Sequence, residues 1–141
     1  MRIQHAFKSS CVVAAFAIAT NAVAAGASCR VAVDYSLDAT TVESYRKDFV
    51  VEPGVDFVDD FSTQTRFKEF SASATSDGDE TVVSINYFSD VDTFDTISLD
   101  AHVTIRGNRK TDSTSGRHTF STSLGIAGNH ETTYSLACRR K

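Results

Sequence analysis

The feature that most restricts how this chain can fold is a pair of cysteines at its two ends. Cys29 stands just behind the first apolar stretch, and Cys138 lies in the closing residues SLACRRK, where most domains fray. The third cysteine, Cys11, belongs to residues 1–24, which have the layout of an export signal. Arg2, His5 and Lys8 precede the uncharged run Cys11–Ala19, and Ala22-Val23-Ala24 supplies a small-x-small cleavage pattern. The apolar run is about nine residues, against about twenty for a helix that crosses a bilayer, so no transmembrane segment is expected. Cleavage after Ala24, Ala25 or Ala27 leaves one domain, residues 28–141, in the periplasm or outside the cell. A lipid anchor on Cys29 is disfavoured by Gly26 at the third position before it.

Cleavage removes Cys11, and two cysteines left in an exported chain are expected to pair. A Cys29–Cys138 bond needs Cα atoms within about 4.4–6.8 Å of each other. The first and last strands must then be neighbours in one sheet, or face each other across a seam. There is no CxxC pair, so a thiol-redox role is not expected.

Between the cysteines the sequence alternates with period two and is rich in Val, Ile, Thr, Phe and Tyr, the signature of half-buried strands. The clearest case is Thr96–Arg106, with Ile97, Leu99, Ala101, Val103 and Ile105 on one face and Ser98, Asp100, His102 and Thr104 on the other. Further strands are expected from Cys29 to Leu37, over Val42–Glu52, Phe67–Ala74, Thr81–Phe88 and His118–Ile126, and at the C-terminus through Thr132, Tyr134, Leu136 and Cys138. Val55–Phe61 reads as a short strand or an irregular acidic loop. Asp38 could cap a helical turn over Ala39–Ser44. Turns are expected at Pro53-Gly54, at Asp77-Gly78 as a type I′ hairpin, and at Gly128-Asn129. Ser89–Asp95 reads as an acidic loop and Gly107–Gly116 as a mobile polar hairpin loop. The expectation is an all-β domain: a single antiparallel β-sandwich or closed β-barrel of about seven or eight strands, its first and last strands joined by the disulfide.

Charge is divided along the chain. Residues 30–104 hold sixteen acidic and five basic side chains; residues 105–141 hold two and seven. A net acidic domain disfavours broad binding to nucleic acid or to an anionic membrane. The acidic loops offer calcium candidates, Asp77 and Asp79 in one and Asp90, Asp92 and Asp95 in the other, but neither has the spacing of a twelve-residue calcium loop. His118 and His130 share the phase of inward residues and His102 does not, so the three form no zinc motif. No GxSxG-like signature supports a nucleophilic triad, and no cofactor is implied. Phe57, Phe61, Phe88 and Phe94 lie in or beside the acidic loops, where an aromatic ringed by carboxylates could anchor a basic partner. Arg109 and Lys110 give the polar hairpin loop a basic tip. These features point to a monomeric, exported, non-enzymatic binding module of inhibitor, immunity or virulence type, engaging a protein or small ligand through loops. The alternatives are a subunit of an envelope or surface assembly and a small secreted hydrolase or toxin.

Overall fold

A computed structural model describes residues 25–90, 96–107, 109–123 and 125–141. They form strands β1 (Ala27–Leu37), β2 (Thr40–Val51), β3 (Phe57–Asp60), β4 (Lys68–Asp77), β5 (Glu80–Asp90), β6 (Thr96–Ile105), β7 (Thr111–Thr122) and β8 (Gly128–Arg140). A front sheet has the order β2-β1-β8-β7 and a back sheet the order β3-β4-β5-β6. All pairings between these strands are antiparallel. Around the molecule the strands succeed one another in chain order, and β8 closes the ring by pairing with β1. The fold thus has the connectivity of an up-and-down barrel and the packing of a sandwich. Hydrogen bonding is interrupted at two seams, β2–β3 and β6–β7.

The alternation dictates the core. Val31, Val33 and Tyr35 of β1, Tyr45 and Phe49 of β2, Phe70 of β4 and Val83, Ile85 and Tyr87 of β5 are buried between the sheets. Ile97 to Ile105 of β6 and Leu136 of β8 complete the layer. Phe49, Phe57 and Phe70 contact one another edge to face or stacked; nearby, Phe61 stacks on Tyr45 and Tyr87, whose own rings meet tilted. Cys29 and Cys138 are directly opposed in the β1–β8 register and joined by a disulfide, with Cα atoms 4.1 Å apart. The pair therefore links neighbours within one sheet.

Four local expectations are corrected. No helical turn follows Asp38. Asp38 and Ala39, at φ 45° and 65°, form the two central residues of a tight hairpin between Leu37 and Thr40, and the Asp38 carboxylate accepts from the Asn129 N–H. The β4–β5 turn is centred on Gly78-Asp79, because Asp77 pairs with Glu80. Only Gly78 has positive φ there, the pattern of a II′ rather than a I′ turn. The polar stretch after Gly107 is not a ten-residue loop, since β7 already begins at Thr111. Gly128 and Asn129 start β8 rather than turn the chain. A side chain at Gly128 would press on Asp38, whose carboxylate oxygen lies 2.9 Å from the position of an added Cβ.

Candidate functional site

The two seams differ in how they are held. At the first, charged side chains of β2 point inward. Glu43, Tyr45 and Lys47 share the parity of Phe49 and Val51, so they face the back sheet rather than solvent. The Glu43 carboxylate accepts from the Tyr87 hydroxyl (2.6 Å), the Ser89 hydroxyl (3.0 Å) and the Lys68 ammonium. Asp59 of β3 accepts from the Tyr45 hydroxyl (2.8 Å) and pairs with Lys47 (2.9 Å). Side chains thus stitch the sheets together where the backbone ladder stops. Burial opposes the charge on Glu43, but the bonds from Lys68, Tyr87 and Ser89 outweigh it and hold the carboxyl below its ordinary value. The Lys47 and Tyr45 bonds do the same for Asp59, and those from Arg46 and Ser44 for Asp34. Burial, and then the bonded carboxylate, push the hydroxyls of Tyr45 and Tyr87 up.

The depressed carboxyls carry a pH signature. A carboxyl held below its unfolded value contributes stability that is fully present above that value and is lost as pH falls through the folded one. The urea midpoint is therefore expected to hold steady above about pH 5 and to fall steadily below the 4.5 ordinary to a glutamate. Urea titrations from pH 7 to pH 3 check this, and a midpoint that rises on acidification would contradict it.

The second seam is open. No hydrogen bond among the described residues joins β6 to β7. No residue of β7 is fully buried, and its inward phase carries Asp112, Thr114, Gly116, His118 and Phe120 rather than aliphatic side chains. A cleft of about 540 Å3 runs along the upper seam, between Ile97 and Leu99 of β6, Gly116, His118 and Phe120 of β7, and Tyr134 of β8. That volume lies within the range of about 300–1,000 Å3 usual for ligand sites. The Tyr134 ring crosses Gly116 so closely that an added Cβ would stand 2.5 Å from it. Thr132 lines the same cleft, and its buried hydroxyl has no hydrogen-bond partner. A second hollow, of about 760 Å3, continues toward the Arg106–Lys110 turn, past His102, Arg106, Arg109 and Asp112. Arg140 closes this lower end by donating to the carbonyls of Ile105 (2.9 Å), Gly107 (3.3 Å) and Asp79. It is thereby withdrawn from the basic C-terminal tail.

His130 supports the upper end from inside. Its Nε2–H donates to the Ile126 carbonyl at 2.8 Å, so Nδ1 is the acceptor for the Tyr35 hydroxyl, also at 2.8 Å. Phe120 stacks on its ring at 4.4 Å. His130 thus serves packing, His118 is exposed on the overhang of β7, and His102 points outward from β6.

The residues singled out by sequence do not converge. Phe57 and Phe61 pack partly buried against the core. Phe88 lies on the outer face of β5 against exposed Phe67, 5.5 Å between ring centres. Arg109 and Lys110 are exposed on the turn at the lower end of the open seam. Phe94, Asp92 and Asp95 lie outside the described residues. Asp77 and Asp79 sit at one end of β5 and Asp90 at the other, about 30 Å away for eleven extended residues, so the two groups cannot share one calcium ion. Among the described residues no three His, Cys, Asp or Glu side chains gather as metal ligands.

The open seam was missed because β7 has no apolar face. The available signal was parity: Asp112, Thr114, Gly116 and His118 occupy positions that β6 fills with Ile, Leu and Val. Comparison with protein-family models, curated protein sequences and solved structures finds no match for this chain.

Proposed function

We propose that this protein is an exported, non-enzymatic binding module that holds a protein or small ligand in the open seam between β6 and β7, rather than in its loops. The observation that carries this reading is the contrast between the seams. One is sealed by Glu43, Lys68, Tyr45, Lys47 and Asp59. The other keeps a cleft lined by two aromatic rings, an exposed histidine and a buried hydroxyl without a partner. A buried polar group left unpaired carries a desolvation cost of about 1–3 kcal/mol, which a ligand group brought to it would relieve. The site is a concave surface of mixed character, with Ile97, Leu99, Phe120 and Tyr134 beside Asp100, Arg117, His118 and Thr132, so it offers both apolar area and polar groups to fix a ligand's orientation. The disulfide is compatible with an oxidising, extracytoplasmic compartment, and an inhibitor, immunity or virulence role suits a small module of this kind.

The test is affinity capture from an envelope extract by the immobilised, oxidised protein and by its Thr114→Trp variant. Thr114 lies on β7 beside the lower hollow, in the inward phase and opposite Leu136, so the indole is expected to fill the seam, and thermal unfolding reads whether the core is disturbed. Capture of a defined partner by the parent and its loss in a variant with unchanged thermal unfolding is the expected result. Equal capture by both would place the binding surface elsewhere and end the proposal.

A further inference from the structure

We infer that the open seam is a gate: β6 and β7 zip together as an antiparallel hairpin, converting the sandwich into a closed barrel that has no room for a ligand between them. The gate rests on register; its control of a ligand rests on the binding-module reading above. The strands already run up and down around the molecule, and full closure is the arrangement that removes sheet edges.

Both seams begin at the same kind of turn. The Val55 N–H donates to the Glu52 carbonyl (3.0 Å) between β2 and β3, and the Arg109 N–H to the Arg106 carbonyl (3.0 Å) between β6 and β7. Each turn sets the register in which its two strands would continue. Opposed residues of an antiparallel pair point to the same face, so a ladder runs on only where inward positions meet inward ones. Continued from Glu52 and Val55, the first seam would set inward Phe49 against Val58, which lies 57% exposed on the outer face. That ladder stops at once, and side chains hold the sheets instead. Continued from Arg106 and Arg109, the second seam sets inward Leu99 against Gly116 and Ala101 against Thr114, with Ser98 against Arg117 on the outer face. Between the two strands no like charges are opposed.

The hydrogen-bonding phase agrees. The Gly107 N–H donates to the Asp79 carbonyl (3.1 Å), extending the β5–β6 ladder, so odd-numbered residues of β6 turn their backbone groups to β5 and even-numbered ones to the open side. The Arg140 N–H donates to the Lys110 carbonyl (2.9 Å), so even-numbered residues of β7 are bound to β8 and odd-numbered ones face the seam. Even positions of β6 and odd positions of β7 are the ones the turn brings opposite. The Arg140 guanidinium leaves this edge clear, because the carbonyls it takes belong to Ile105, Gly107 and Asp79. Asp112 and His118, in the inward phase of β7, oppose closure, since a closed barrel would take them from water. The ladder gained and the polar burial lost make the element bistable, and a ligand that needs the seam open shifts it. The upper cleft and the lower hollow both lie between β6 and β7, so closure removes them.

The test is a cysteine pair at the far end of the seam, Thr96→Cys/Thr119→Cys, oxidised with copper–phenanthroline and mapped by mass spectrometry. The control, Thr96→Cys/Ser115→Cys, is four residues out of register, about 13 Å along the strand. The in-register pair is expected to form its disulfide about tenfold faster than the control. In the cross-linked protein the amides of Ser98, Asp100 and His102 should exchange about tenfold more slowly than in the alkylated thiol form, and capture should be lost. Should the first pair disturb folding, His102→Cys/Ser113→Cys is read in the same way. Cross-linking at the control's rate would overturn the gate, as would a cross-link that leaves amide exchange unchanged, which would show tethered side chains without a ladder. If the gate fails while Thr114→Trp still abolishes capture, the binding-module reading stands. If the seam zips while the parent captures nothing, the gate stands and that reading falls.

Discussion

The double substitution Cys29→Ala/Cys138→Ala is expected to lower the unfolding free energy by about 2–4 kcal/mol. For a domain of this size that is a drop in Tm on the order of 10 °C. The two positions are 109 residues apart in sequence, so the bond closes nearly the whole domain into one loop. Most of its effect, in the chain-entropy account, falls on the unfolded state, which loses conformations when its ends are tied. In the folded state the two residues are a cross-strand pair on adjacent β1 and β8, and the backbone ladder from Ala27–Arg140 to Leu37–His130 persists without the sulfurs. Alanine fills both buried positions without a polar group. The variant is therefore expected to keep its β-sheet circular dichroism while its thermal midpoint falls. Reduction of the parent by dithiothreitol should produce a similar shift, and the alanine variant should not respond to it. A parent whose midpoint is unchanged by full reduction would contradict the account, because a loop of this length cannot be opened without enlarging the unfolded ensemble.

How far this architecture was legible varies from strand to strand, for physical reasons. β6 was plain because one face meets the core and the other meets water, and its ten residues record that division position by position. The closure of the ring was legible from two sulfurs, since cysteines at both ends of one exported domain constrain the termini to meet. β7 was half hidden. It overhangs the back sheet at an open seam, so neither face is under selection for aliphatic residues, and Thr111–Gly116 has the composition of a loop. The Asp38-Ala39 turn was illegible because alanine rarely takes positive φ. It is tolerated here by a tertiary contact: Asn129, ninety-one positions further on, donates its N–H to the Asp38 side chain. The stitched seam had a signal in the parity of Glu43 and Lys47 with Phe49, and of Lys68 with Phe70. A charge in an inward phase reads as an interruption of the strand until its partner is known, and the partners lie on strands distant in sequence.

Those inward charges yield the second large effect. Glu43→Ala is expected to cost about 2–3 kcal/mol, below the range for a fully buried ionic pair because Glu43 and Lys68 are only partly buried. The loss exceeds that of one contact because the Glu43 carboxylate is the common acceptor for three groups from the opposite sheet: Lys68, Tyr87 and Ser89. Ser89 is fully buried and Tyr87 nearly so, so alanine would strand two hydroxyls and leave the ammonium facing a seam without its counter-charge. Glu43→Gln should cost less, about 1–2 kcal/mol, because an amide oxygen still accepts from a hydroxyl although the charge is gone. Removing both ends in Glu43→Met/Lys68→Met should recover much of the deficit, as apolar side chains of similar length replace a desolvated pair. Urea denaturation of the single and double variants closes the cycle, and a coupling free energy above about 1 kcal/mol is expected. A Glu43→Ala variant as stable as the parent would show that the first seam is held by aromatic packing of Tyr45, Phe61 and Phe70 alone. The distinction between a sealed seam and an open one would then disappear, and with it the reason for placing a ligand along β6.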